Sequence, residues 1–237
     1  MEQPNDDSTK INQYLLSIRL SSDGFKLSVF DESSVLLTSK KISNSLFSLT
    51  SDEIIKIITP DVQLNYRTVR LICESDRYLF IPAPIFRSEE AADMLHFQFK
   101  PVKTDQIILN RIPKWDTVNV FSIPKSVHIA LTKMFPNAII EHHLTYFLNE
   151  FVKLQNGDSV YIQVRNNIMD VMIITNGGIQ LINSYSFNTP EDFTYYTLNL
   201  FDTLPLDTEN CKVILYNSDK KPELQKTLEK YLDVIRG

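Results

Sequence analysis

Residues 14–44 read YLLSIRLSSDGFKLSVFDESSVLLTSKKISN, and residues 159–188 read SVYIQVRNNIMDVMIITNGGIQLINSYSFN. In the first stretch YLLSIRLS alternates loosely between apolar and polar residues, Asp23-Gly24 offers a turn, and FKLSVFD follows as a second strand. Ser33-Ser34 then turns the chain into a third run, VLLTSKKIS. The second stretch repeats the plan with VYIQVRN, IMDVMIITN, a Gly177-Gly178 turn and IQLINSYSF. Ile18 aligns with Ile162 (162 − 18 = 144), Val29 with Ile173 (173 − 29 = 144) and Val35 with Ile179 (179 − 35 = 144). Chance similarity between β-rich segments is the plain alternative, but an ungapped match through three strands and both turns favours duplication of one meander.

Each copy leads into a helix. Thr50 and Glu53 make a capping box ahead of IIKII. Thr189 caps a second helix with Pro190 at its first position and Glu191-Asp192 in its first turn, where the helix dipole favours acids. Phe193, Tyr196, Leu200 and Leu204 then recur on one face. A strand, CKVILYN, and a final helix striped with Leu224, Leu228, Tyr231, Leu232 and Ile235 complete a β-β-β-α-β-α half. The first half is longer. RTVRLICES and RYLFIPAPIF read as a further hairpin, SEEAADMLHFQF as a helix, and QIILNRI and DTVNVFSI as two strands. A helix at 124–134, a strand at NAIIEH and a helix at LTYFLNEFVKL follow. The expected organisation is α/β: a polar tail at 1–13, a first lobe at 14–156 carrying an insertion at 67–114, and a second lobe at 157–237 after the turn signal Asn156-Gly157-Asp158.

The chain has 237 residues, 43% of them hydrophobic and 22% charged, enough to build a real core. A formal charge of −5 argues against nucleic acid as a partner, since phosphate binding needs a basic face. Cys73 and Cys211 sit in apolar strand-like runs without metal-ligand spacing, and read as buried free thiols of a reducing compartment. The polar start, MEQPNDDSTK, has no signal-like apolar region, and no run approaches the about 20 apolar residues of a membrane span. The expectation is a soluble, cytoplasmic protein.

Two β-β-β-α-β-α halves in tandem resemble the actin, Hsp70 and sugar-kinase superfamily, whose actin-like ATPase fold is ribonuclease H-like. The chain is similar to an uncharacterised bacterial family assigned to that fold and, within the superfamily, to the type IV pilus, type II secretion and cell-division proteins. VFSIPKSVHIALTKMFPNAIIEH, a strand, a helix and a returning strand just before the second half, adds to the resemblance. The resemblance implies that the first hairpin of each half grips nucleotide phosphates. An Asp at the end of the first strand would hold Mg²⁺, Gly with Thr or Ser would line the turn, and a later Gly-Gly would lie against adenosine. Here Arg19 falls where the first Asp should be, with Ser21 and Ser22 in the turn; Gln163 and Arg165 occupy the second hairpin, and Asn217-Ser218 replaces the Gly-Gly. An arginine cannot bind Mg²⁺, and a side chain in place of Gly obstructs phosphate. The expected function is a non-catalytic scaffold or adaptor, with no cofactor and a protein partner of unspecified identity. The alternative is an ATP-binding protein or weak ATPase whose phosphate contacts come from Arg19, Arg165 and Lys26. Against that alternative, arginines at strand ends are commonly just solvated.

Other candidates are weaker. Asp23 belongs first to a turn. His142 and His143, being adjacent, point in different directions, and the plain reading is one packed and one exposed. His96 and His128 are isolated. Phe193, Tyr195, Tyr196 and Phe201 crowd one helix, and Tyr146, Phe147 and Phe151 another; most must be core, and any left exposed would suit a protein partner. The insertion, with IPAPIF, its helix and the single Trp115, is the other partner-binding candidate.

Overall fold

The computed structural model describes residues 13–62, 65–153, 157–204, 206–216 and 221–237. The chain divides into two compact units, one up to Tyr146 and one from Phe147. The division falls inside a helix, earlier than the turn at 156–158 had suggested. Most of the tail expected at 1–13 lies outside the described residues.

In the first unit, β1 (Leu15–Ser21), β2 (Gly24–Phe30) and β3 (Leu36–Ile42) form the expected meander, and α1 (Ser51–Ile58) follows with both halves of the Thr50–Glu53 capping box in place. The next strand, β4 (Thr68–Cys73), does not pair with β5 (Tyr78–Pro82) as a hairpin. It runs parallel to β1, with Leu15 opposite Thr68 and Leu20 opposite Cys73. A strand between two parallel neighbours is covered on both faces, and here Leu71, Ile72 and Cys73 are buried in succession, while Thr68 and Arg70 are only half-buried. The remaining elements are α2 (Ala91–Gln98), β6 (Asp105–Ile112), β7 (Thr117–Pro124), α3 (Lys125–Met134), β8 (Ile139–His142) and α4 (His143–Glu150). The main sheet has the order β3-β2-β1-β4-β8, and Leu16, Ile18, Leu20, Phe25 and Leu27 bury one face under α1 and α3.

The second unit contains β9 (Ser159–Arg165), β10 (Ile168–Thr175), β11 (Gly178–Ser186), α5 (Pro190–Thr203), β12 (Lys212–Tyr216), α6 (Pro222–Leu228) and β13 (Val234–Arg236). Its sheet order, β11-β10-β9-β12-β13, copies the first. The 144-residue offset also holds for the fourth strand, where Ser159 pairs with Lys212 as Leu15 pairs with Thr68 (159 − 15 and 212 − 68 both equal 144). The third strands are instead offset by 143, since Phe30 pairs with Leu36 and Ile174 with Ile179 (179 − 36 = 143), so the expected match of Val35 with Ile179 is out by one residue because the second turn is one residue shorter. Even the bulge repeats, between Val29 and Phe30 in one copy and Ile173 and Ile174 in the other. One expectation fails here. The final helix stops at Leu228, and Ile235 lies on β13, 42% exposed, rather than on a helical stripe.

The same registers relocate the insertion. Arg70 pairs with Ile139, 69 residues on, whereas its equivalent Ile214 pairs with Ile235, 21 residues on. The first half therefore holds 48 extra residues (69 − 21) between its fourth and fifth strands, not a segment beginning at 67. They make a separate sheet, β5-β7-β6, running from Tyr78 to Pro124. Alternate residues of β7 serve two cores: Val118 and Val120 pack with Ile81, Ala91 and Leu95 around α2, while Phe121 and Ile123 join the core of the main sheet. Asn110 ties this sheet to the edge strand β8, its Nδ2 donating to the Ile140 carbonyl and its Oδ1 accepting from the His142 amide, both at 2.8 Å. Among the described residues no helix is long and apolar enough to cross a membrane.

Candidate functional site

The two β-turns named by the sequence sit where the first strands of each sheet reverse, β1 to β2 and β9 to β10. In the first, Ile18 and Leu20 face the core, so Arg19 faces the other way, opposite Lys26. Its guanidinium Nε donates to Glu74 Oε1 at 2.6 Å. Glu74 directly follows β4 and extends the parallel pairing, its amide donating to the Leu20 carbonyl at 2.8 Å. The carboxylate that answers Arg19 is thus delivered by the neighbouring strand. Ser21 Oγ lies 2.6 Å from Asp23 Oδ1 and 2.9 Å from the Gly24 carbonyl, so its proton points into the turn. That hydroxyl, with the Lys41 ammonium 3.7 Å from Asp23 Oδ2, holds the Asp23 carboxyl below the usual carboxylate range. Ser22 is exposed at the tip. The turn therefore presents a carboxylate and satisfies its own polar groups, the reverse of a cradle of free N–H donors.

The second hairpin differs more. Gln163 is 5% exposed and opposite Asp170, and its Oε1 is buried without a hydrogen-bond partner among the described residues. Arg165, expected on the surface, is instead folded onto Asp170: Nε meets Oδ2, Nη2 lies 3.1 Å from Oδ1, and Ser184 Oγ donates to Oδ1 at 2.7 Å. Asp170 is fully buried, and the Arg165 side chain is 11% exposed. Such a fork-on-carboxylate geometry is the strongest an arginine makes. Asp170 takes the position of Lys26 in the other copy (170 − 26 = 144), so one copy carries a cation there and the other a buried anion. Sequence reasoning passed over Asp170, although an acid inside IMDVMIIT was the available signal.

Asn217 and Ser218 lie outside the described residues. Next to them, Lys221 Nζ donates to Asn167 Oδ1 in the second turn at 2.9 Å and rests 5.0 Å from the Phe187 ring centre. No group of three or more His, Cys, Asp or Glu side chains among the described residues is placed to hold a metal.

The remaining candidates resolve mostly into core. Both histidines of the 142–143 pair are fully buried, contrary to expectation, because a strand ends at one and a helix begins at the other. His142 Nε2 donates to the Ser75 carbonyl at 2.8 Å and Nδ1 accepts the Leu144 amide at 3.3 Å, which fixes its tautomer. Burial lowers the pKa of His128. Phe147, Phe193 and Phe201 are core, and of the aromatic sets named only Tyr195 is largely exposed, at 65%. Trp115 is buried, so it is not the exposed face of the insertion; Phe97, on α2, is 96% exposed and was not singled out. Burial pushes the Cys73 thiol up to about 12 and, with Asp158 and Asp207 adding, Cys211 to about 11.

Residues 3–235 match the family described as "Protein of unknown function (DUF3822)". The chain belongs to that family. This DUF3822 protein is similar to a Bacteroides thetaiotaomicron crystal structure described as a protein with actin-like ATPase fold and unknown function. The two are 28% identical over 98% of this chain and 93% of that one, with a TM-score of 0.82. The fold is therefore the actin-like ATPase fold, as the duplicated sheets had implied. Weaker likenesses reach a PilM-PilN type IV pilus biogenesis complex (11% identity, 95% and 88% of the two chains, TM-score 0.47). They also reach the ethanolamine utilization protein EutJ of Carboxydothermus hydrogenoformans (10%, 96% and 88%, TM-score 0.44). Scores that low bear on neither activity nor assembly. No curated protein matches the DUF3822 chain.

Proposed function

We propose that this protein is a non-catalytic scaffold or adaptor that keeps the actin-like framework and works through contacts with a protein partner in a reducing, cytoplasmic compartment. The observation that carries the reading is the fate of the two hairpin arginines. Each is neutralised by a carboxylate of its own sheet, Arg19 by Glu74 and Arg165 by Asp170. An arginine that turned to a phosphate would strand a carboxylate, and in the second hairpin that carboxylate is fully buried. Gln163, in the place of the metal-binding Asp, is a neutral side chain enclosed by the sheet. The exposed Phe97 of the inserted subdomain supports the partner-binding half of the proposal. The two buried thiols and the net charge of −5 fit the compartment and the exclusion of nucleic acid.

One observation favours the other reading, an ATP-binding protein with phosphate contacts of its own. Lys26 is exposed beside the first turn and has no ion-pair partner among the described residues. Calorimetric titration with Mg-ATP separates the two. The scaffold reading expects no saturable heat and no phosphate release above background. Saturable binding that is weakened by Lys26→Ala or Arg19→Ala would replace it with the ATP-binding reading.

A further inference from the structure

His142 ends β8 and immediately precedes α4, and main-chain groups hold its ring at both nitrogens. Nε2 donates to the Ser75 carbonyl at 2.8 Å, and Nδ1 accepts the amide of Leu144, the second residue of the helix, at 3.3 Å. The second contact does what an N-cap side chain does, satisfying one of the amides that a helix start leaves without an intrahelical partner. Only the neutral imidazole makes both bonds, because a carbonyl never donates and a main-chain N–H never accepts. A second proton would have to sit on Nδ1, facing the Leu144 N–H. It would also place a positive charge at the end of the helix where the macrodipole is already positive. The next residue is pinned too, Thr145 Oγ1 accepting from Asn119 Nδ2 of β7 at 3.0 Å.

The ring is fully buried. Its centre lies 4.8 Å from the Tyr78 ring of β5, 5.0 Å from the Phe121 ring of β7 and 4.3 Å from the His143 ring of α4. Strand β4 sets Cys73 opposite it, a thiol that burial keeps protonated, and β6 contributes Asn110, which accepts the His142 amide. The titratable groups on these elements that face the ring are Cys73, Tyr78 and His143. Glu141 lies on the other face of β8, 3.4 Å from Arg70. Glu74 turns to Arg19, and Asp76, beside Ser75, is exposed. Helix α4 is also where the chain passes from the first compact unit to the second, between Tyr146 and Phe147.

We propose that His142 is an acid-sensitive latch on the start of α4. Taking up a proton expels its ring from between Ser75 and Leu144 and frees the first turn of the helix, loosening the stretch through which the chain passes from one unit to the other. The closed form excludes the proton, while the open form binds it near the ordinary value for histidine. The latch is therefore fully closed above about pH 6.5 and opens as pH falls below it, about tenfold for each unit. Hydrogen exchange on the full chain, corrected for the intrinsic effect of pH, is the test. From about pH 7.5 to about pH 5, protection of the Leu144 amide and those after it in α4 should fall about thirtyfold, and that of β1 and β4 much less. His142→Asn keeps an acceptor in the place of Nδ1 and cannot titrate, so the loss should disappear; His128→Gln, on α3, should leave it unchanged. Since a substitution at a buried site could prevent folding, nitrogen NMR of the wild-type imidazoles supplies a second reading. It should show His142 as the Nε2–H tautomer at neutral pH, with its protonated form appearing only as α4 opens. Protection of α4 that ignores pH, or a loss equal throughout the main sheet, would overturn the proposal. So would a loss that survives His142→Asn or vanishes in His128→Gln, or a protonated His142 beside an intact α4.

Discussion

Replacing Asp170 by Asn removes one charge from a place with almost no water. Asp170 is fully buried, takes both forks of the Arg165 guanidinium and accepts a third bond from Ser184 at 2.7 Å, while Arg165 itself is 11% exposed. The uncharged amide keeps the shape, but takes away the carboxylate that neutralises a guanidinium mostly out of solvent. Breaking one side of a buried pair costs about 3–5 kcal/mol. Since each 1.4 kcal/mol is a factor of ten, exchange of the β9 and β10 amides should accelerate by about two to three and a half powers of ten. Amide exchange suits this test better than a single melting curve, because the chain has two compact units and need not unfold in one step. The paired control is Arg165→Met with Asp170→Leu, which removes both charges at once and should cost little or even stabilise. If Asp170→Asn cost less than about 1 kcal/mol, the pair would be behaving as a solvated surface bridge. Arg165 would then be free to serve a ligand. A double variant as damaging as the single one would equally refute an uncompensated charge as the cause.

Asn110→Ala removes two hydrogen bonds that pin the inserted sheet to β8, and should cost about 2 kcal/mol and expose the 78–124 segment to limited proteolysis before the rest of its unit. Gly24→Ala should prevent the first meander from closing, since Gly24 has φ +149° and a Cβ there would lie 2.2 Å from the Ile42 carbonyl oxygen; circular dichroism and expression level read the loss. Raising the pH should destabilise the protein above about pH 9. The buried thiols keep their protons to about 12 and 11 in the fold while the unfolded chain ionises near its ordinary value, so stability is full below that value and falls as pH rises. The slope is about 1.4 kcal/mol per pH unit for each thiol, and urea titrations of wild type and Cys73→Ala at pH 7 to 10 should show the slope halved in the variant.

How far the candidate site was legible follows from the range of the interactions that make it. Asp23-Gly24 and the Thr50–Glu53 box are complete within four residues, and both stand as read. The positions of Arg19, Gln163 and Arg165 on their strands were likewise set by alternation and turn. Their partners were not, because Glu74 is 55 residues from Arg19, and Asp170 meets Arg165 only once the second hairpin closes. Phe97 looked no different in sequence from the aromatics that became core; only the placement of α2, with Ala91 and Leu95 turned inward, left it outside.

By itself the sequence determined the duplicated meander and its helix starts, because these rest on period-two patterning, turn chemistry and capping within short windows. The tertiary structure decided the rest. It drew Thr68–Cys73 into the main sheet as a parallel strand, moved the insertion to Tyr78–Pro124, buried both histidines and gave each hairpin arginine a carboxylate. Each of these depends on which distant segment arrives alongside, and an apolar run carries no record of whether its neighbour will be parallel, antiparallel or a helix.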